Sequence, residues 1–276
     1  MRSWGSSRKQ YRPGMLPHPG RSIYMDSTQR FSDRVGDYVK YRPDYPAAIV
    51  SYLREVISFD PSRVVADIGS GTGISTELFL RHGNQVLAVE PNEAMRSKAE
   101  ELLGSYPGFS SIDGTAEATG LPEASVDLIV AGQAFHWFDP EKAHREFARI
   151  ARPGVYAALI WNERLVSSDL EKEYEDLILR TGGDYKTINH KNIGDPQIER
   201  FFYPETFVLK IFDNEQILDL DGLRGRLLSS SYIPKEGAGY EAMLRDLPVL
   251  FDRYQSGGKV RIGYETKLYL GRVHSL

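Results

Sequence analysis

Val64-Val65-Ala66-Asp67-Ile68-Gly69-Ser70-Gly71-Thr72-Gly73 runs from a short apolar segment, through one acid, into three alternate glycines. Ile74-Ser75-Thr76-Glu77-Leu78-Phe79-Leu80 then resumes at helical spacing, so the stretch reads as buried strand, tight turn and helix. Glycines at such a turn permit positive φ and let a ligand approach the backbone closely. A dinucleotide fingerprint G-x-G-x-x-G would need glycine at Ile74 or at Thr76, depending on where it starts. A phosphate-cradling loop would need Gly-Lys-Ser/Thr, yet the Gly258-Lys259 pair is followed by Val260. The bend is therefore built for a guest without a pyrophosphate or triphosphate.

Other segments alternate with this one as a parallel α/β fold requires. Gln85-Val86-Leu87-Ala88-Val89-Glu90 is a second strand ending in an acid, and Asn92, Glu93, Ala94 and Met95 open the helix that follows. A third strand lies near Phe109 to Ile112. Ser125 to Ala131 reads as a central fourth strand, its apolar run suited to cover on both faces. It leads into Gly132-Gln133-Ala134-Phe135-His136-Trp137-Phe138, where a parallel sheet places ligands. Asp139-Pro140 caps and starts the next helix, and Val155 to Trp161 is a fifth strand.

The pattern Asp-x-Gly-x-Gly-x-Gly at Asp67 to Gly73, with Glu90 closing the next strand, resembles the class I S-adenosylmethionine-dependent methyltransferases. The Tyr-Arg-Pro lead-in at Tyr41 to Pro43, Ala134 to Phe138, Ser229-Ser230-Ser231-Tyr232-Ile233-Pro234 and Gly271-Arg272 are similar to a small-molecule subgroup that includes trans-aconitate methyltransferase. The resemblance implies a Rossmann-like seven-stranded mixed sheet with helical insertions in the C-terminal half, and S-adenosyl-L-methionine as cofactor. It implies that Asp67, Gly69, Ser70, Gly71, Thr72 and Gly73 form the cofactor loop, with Glu90, Pro91 and Asn92 at the ribose. A carboxylate suits two ribose hydroxyls because it offers two acceptor oxygens and no competing donor. Met95, Thr115, Ala116 and Glu117 would border the adenine, and Gln133 and Ala134 the end of the fourth strand. Tyr38, Tyr41 and Arg42 would meet the carboxylate of the methionine moiety, for which an arginine is well matched. His136 and Trp137 fall where the reactive methyl should point. His136 is expected to position the acceptor ahead of acting as a general base. Asp67 has a second reading, as a structural acid that holds the loop.

Composition narrows the partners. The 276 residues carry 34 Lys and Arg against 38 Asp and Glu, a net charge of −4 that gives a polyanion no bulk attraction, so no nucleic acid is expected. Cysteine is absent, which removes disulfides, thiolate zinc sites and a thiol nucleophile together. Val155 to Trp161 is the longest apolar run and far short of a membrane span. No metal site is expected, because His136 and His144 lack zinc-like spacing, and no Gly-x-Ser-x-Gly elbow supports a serine nucleophile. These features favour a cytoplasmic enzyme that methylates a small-molecule acceptor, most readily at a carboxylate or hydroxyl oxygen. The alternative is a cofactor-binding regulator without turnover.

Residues 1–25 carry Gly, Pro, Ser, Arg and Lys without an apolar period and read as a disordered leader. Residues 26–276 read as one methyltransferase domain with its core at 45–163 and helical cap insertions within 164–258. Helices are expected from Ala47 to Ile57, from Leu170 to Thr181 with Asp169 as cap, from Leu223 to Leu228, and from Tyr240 to Tyr254 interrupted at Pro248. Thr206 to Phe212 and Val260 to Leu270 read as strands, and Asp184 to Pro204 as a polar connection over the site.

Overall fold

The computed structural model describes residues 41–181, 195–230, 233–234 and 236–274. The leader, Tyr38, Ser231 and Tyr232 lie outside the described residues. Seven strands form one sheet in the order β3-β2-β1-β4-β5-β7-β6. They are β1 Val64–Ile68, β2 Gln85–Val89, β3 Phe109–Ile112, β4 Val126–Gly132, β5 Ala151–Arg164, β6 Phe207–Leu218 and β7 Val260–Arg272. The first five pair in parallel, and β7 runs antiparallel between β5 and β6. The chain leaves β1 toward β2 and β3, then returns to the other side of β1 for β4. That reversal opens a crevice beyond the carboxyl ends of β1 and β4, the usual ligand position in such sheets.

Both faces of the sheet are covered, as its near-continuous apolar strands demand. Helices α1 Ala48–Ile57, α2 Ile74–Arg81 and α3 Glu93–Leu103 supply Ile49, Leu53, Phe79 and Leu103 to one face. Helices α4 Pro140–Ile150 and α6 Asp195–Phe202 supply Phe147, Phe201 and Phe202 to the other, against Trp161 and Tyr269. A third core joins α5 Asp169–Thr181, α7 Leu220–Leu228 and α8 Ala238–Tyr254 to the start of β7 through Tyr174, Leu227, Met243 and Ile262. Among the described residues no helix is long and apolar enough to cross a membrane.

The C-terminal half departs from the sequence reading in four places. Strand β6 continues past Phe212 to Leu218, paired with β7 from Phe207↔Gly271 to Leu218↔Val260. The run Asp213-Asn214-Glu215-Gln216 can stay extended because an edge strand needs partners on one side only. Helix α5 is capped by Ser168 rather than Asp169: the Ser168 N–H donates to Glu171 Oε2 and the Glu171 N–H to Ser168 Oγ, a reciprocal capping box. Helix α8 runs through Pro248 because Met243, Leu247, Leu250 and Phe251 bury along both sides of it. Helix α6 occupies part of the expected connection, where Ile198, Phe201 and Phe202 give too short a period to identify a helix from sequence.

Candidate cofactor and acceptor site

The glycine bend performs three separate tasks. Gly69 and Ser70 both donate N–H to Val89 O, at 2.8 and 3.1 Å, which fixes the loop to the end of β2. A Cβ on Gly69 would lie 2.7 Å from Ala134 Cβ, and one on Gly73 would lie 2.3 Å from Leu103 Cδ1. These two glycines permit close packing. A Cβ on Gly71 would meet none of the described residues within 4 Å, although its φ of +57° still favours glycine. Gly71 thus borders open space. Ser70 and Thr72 are buried beside it, and Thr72 Oγ1 has no hydrogen-bond partner among the described residues.

Asp67 lies beneath the loop, fully buried. Its Oδ2 accepts from Ser75 Oγ at 2.7 Å and Thr76 Oγ1 at 2.6 Å, which joins the end of β1 to the first turn of α2. Burial pushes its carboxyl up to about 6 against those two bonds. The structural reading made from sequence had Asp67 hold the glycine loop through backbone amides; the hydrogen bonds it accepts come instead from the two hydroxyls that open α2. Ser75 and Thr76 were not singled out there, although two hydroxyls opening a helix after a strand-ending acid are a usable signal.

Glu90 faces the loop from β2. Its Oε2 accepts from Gly71 N–H at 2.9 Å and its Oε1 from Asn92 N–H at 2.8 Å. Each oxygen keeps a further lone pair for an incoming hydroxyl. Burial raises its carboxyl above the ordinary range, while the two backbone bonds and Arg96 oppose that rise. Pro91 is exposed, Asn92 caps α3 by accepting from Met95 N–H at 3.0 Å, and Met95 is buried in the first turn. Thr115 bridges to Ala118, Ala116 is buried in the core, and Glu117 Oε1 accepts from Asp139 N–H at 2.8 Å. Glu117 therefore ties the loop after β3 to the start of α4.

At the end of β4, Gln133 adopts a positive φ of 55° and its Nε2 donates to Asn162 O at 3.0 Å. Ala134 packs on Gly69, which brings the two loops together. Phe135, His136 and Trp137 form one 3-10 turn. Phe135 is anchored in the core against Phe201, ring centroids 4.9 Å apart, while the His136 and Trp137 rings lie 4.7 Å apart. His136 Nδ1 is buried without a partner among the described residues, and burial with the nearby Arg42 charge pushes the ring down to about 4. The imidazole is neutral near pH 7. Arg42 Nη2 donates to Ser229 O at 3.0 Å, and α7 packs on Tyr41 so closely that a Cβ at Gly225 would lie 2.1 Å from that ring.

Asn162, Asn214 and Gln216 also reach this rim and were not identified from sequence. The available signal was a neutral amide immediately after the buried run of β5. Among the described residues no group of three His, Asp or Glu could hold a metal ion.

The residues fit an uncharged nucleoside better than a nucleotide. The bend carries no Lys or Arg, Gly71 borders open space, and an acid with spare lone pairs closes it. The methyltransferase-domain family profile matches residues 66–159, from within β1 to late β5. An uncharacterised methyltransferase of Mycobacterium tuberculosis strain H37Rv is 34% identical over 182 residues, 66% of this chain and 67% of that one. An uncharacterised methyltransferase of Schizosaccharomyces pombe is 33% identical over 135 residues, 49% of this chain and 53% of its own. A solved structure from Anaeromyxobacter dehalogenans, assigned to the type II methyltransferases, superposes with a TM-score of 0.67 at 26% identity, covering 84% of this chain and 98% of its own. The chain belongs to the class I S-adenosylmethionine-dependent methyltransferase family. It is a methyltransferase, and S-adenosylmethionine is its cofactor.

Proposed function

We propose that this enzyme methylates an oxygen of a small-molecule acceptor in the cytoplasm, most readily a carboxylate, within the subgroup similar to trans-aconitate methyltransferase. The observation carrying this reading is the placement of His136 in the turn after β4, where its Nδ1 is buried without a partner among the described residues and burial disfavours the charged ring. So weak a base would leave the proton of a phenol or ammonium in place. An ionised carboxylate needs no base, and the neutral imidazole can still orient it by donating N–H.

When bound, S-adenosylmethionine supplies a methyl on a sulfonium and is already electrophilic. The roles of the protein are then alignment and exclusion of water. Glu90 would accept from the ribose hydroxyls, the loop Gly69 to Gly73 would seat the nucleoside, and Met95 with the Thr115-Ala116-Glu117 segment would border the adenine. Pro91 and Asn92 hold the turn after Glu90, while Gln133 and Ala134 close the β4 side. Tyr41 and Arg42 would take the amino-acid end, the role the resemblance also gives Tyr38. His136 would hold the acceptor oxygen for in-line transfer, and Trp137, whose ring lies 4.7 Å from that of His136, would wall the pocket. Transfer to a carboxylate would form a carbon–oxygen bond as the carbon–sulfur bond breaks, so no residue of the chain would have to take a proton.

The experiment is a metabolite-pool screen with radiolabelled methyl donor. A base-labile labelled product, as a methyl ester gives, is expected. Label confined to an amine or carbon product would contradict the oxygen assignment.

A further inference from the structure

Three side-chain amides, from strands outside the glycine-loop region, converge on one short piece of backbone before α1. Gln216 Nε2 donates to Tyr41 O at 3.1 Å. Asn162 Nδ2 donates to Pro43 O and Asp44 O at 3.3 and 3.2 Å, and Asn214 Nδ2 donates to Asp44 O at 2.8 Å. Asn162 is itself fixed, because its Oδ1 accepts from Thr266 Oγ1 at 2.5 Å and Asn214 Nδ2 at 3.2 Å. It is only 4% exposed, whereas Asn214 and Gln216 are half-buried. The outermost strand of the sheet is thereby bonded to the segment that carries Arg42.

We propose that Asn162, Asn214 and Gln216 are positioning residues that hold Tyr41–Asp44 ready for the amino-acid end of the cofactor. The inference rests on the contact assigned above to Arg42. The segment has no strand of its own to order it, and each free backbone residue carries conformational entropy that binding must remove. Amide donors on three of its carbonyls remove that entropy during folding, so the ligand meets a prepared arm. Gln133, through its bond to Asn162 O, joins the end of β4 to the same node.

The test replaces donors by acceptors of the same shape, in the double variant Asn214→Asp/Gln216→Glu. The variant Gln216→Glu keeps an oxygen for the Tyr264 hydroxyl, which donates to Gln216 Oε1 at 2.8 Å, while it loses the N–H groups and gains a charge. Calorimetry compares S-adenosylhomocysteine with 5′-methylthioadenosine, which has the same nucleoside and no amino-acid end. The expected result is a Kd for S-adenosylhomocysteine raised about tenfold or more, 1.4 kcal/mol by the affinity relation, with the Kd for methylthioadenosine changed less than about twofold. Asn214→Ala/Gln216→Ala should give the same split, separating lost donors from added charge. Equal weakening of both ligands would assign these amides a general structural role and overturn the proposal, as would no change in either. A wild-type protein that binds neither compound would overturn the cofactor-site reading and this inference with it.

Discussion

The two halves of the sheet are organised by different forces. Around β1, β2 and β4 the site is shaped by backbone: glycines at positive φ, N–H groups on Val89 O and Glu90, and loops that touch because Gly69 has no Cβ to separate them from Ala134. Around β5, β6 and β7 the structure is joined by side chains. Glu171, 4% exposed, accepts from Ser167, Ser168 and, at 2.9 Å, the N–H of Gly263 on β7, while Arg164 pairs with Glu175. The half that binds the cofactor tolerates little added volume, whereas the cap half depends on hydrogen bonds that an isosteric change removes.

The largest expected effect comes from filling the backbone-built half. Gly73→Val should cost about 3 kcal/mol or more, combining left-handed strain with a clash on Leu103, and thermal melting would show it. Gly71→Ala sharpens the contrast, because it should lose only about 1–2 kcal/mol from strain while cofactor affinity falls about tenfold or more as the Cβ enters the open space. If Gly71→Ala instead unfolds the protein without a selective loss of binding, the division of labour among the glycines is wrong. His136→Ala should leave cofactor affinity unchanged and lower turnover about 100-fold through lost alignment; steady-state kinetics with the true acceptor would check it.

In the cap half, Glu171→Gln should cost about 2 kcal/mol through loss of charge-assisted bonds, with cofactor affinity unaltered. Backbone and hydroxyl donors outweigh its burial and hold its carboxyl down to about 2, against an ordinary value of 4.5. Its stabilisation is therefore present above pH 4.5 and lost as pH falls toward 2. Denaturation at several pH values should show this loss in the wild type and not in Glu171→Gln.

The smallest effect at pH 7 is expected for Asp67→Asn, which keeps an acceptor for Ser75 and Thr76. The raised value of about 6 means that the Asp67 contribution is present below the unfolded value of 3.8 and lost as pH rises through 6. His136 acts in the opposite direction: lowered from 6.5 to about 4, it favours the folded state less as pH falls through that window. Removing Asp67 should leave the His136 loss opposed chiefly by Glu90, whose carboxyl is also raised by burial, and so steepen the decline in stability between pH 6 and 4. A decline no steeper than that of the wild type would show that Asp67 is not the raised acid.

This contrast also explains which parts of the structure were legible in the sequence. Asp67, the three glycines and Glu90 act within one strand–turn–strand neighbourhood, so their spacing carries their geometry. The parallel core followed from apolar runs of the right length. Asn162, Asn214 and Glu171 act across the sheet or between a helix and β7, and no local period marks such a pairing. The extension of β6 was hidden because its edge position admits polar residues at both alternations, and α6 because its three buried positions span barely one turn. Glu117 shows the intermediate case: its loop could be located in sequence, but its bond to Asp139 N–H could not.

The most direct measurement is calorimetric titration of the wild type and Glu90→Ala with S-adenosylhomocysteine and with NAD. One-to-one binding of S-adenosylhomocysteine by the wild type, weakened about 100-fold or more in Glu90→Ala, with no heat from NAD, is the predicted result. Binding of NAD in place of S-adenosylhomocysteine, or a Glu90→Ala variant that binds as tightly as the wild type, would contradict the assignment of the glycine bend and its facing acid to the cofactor.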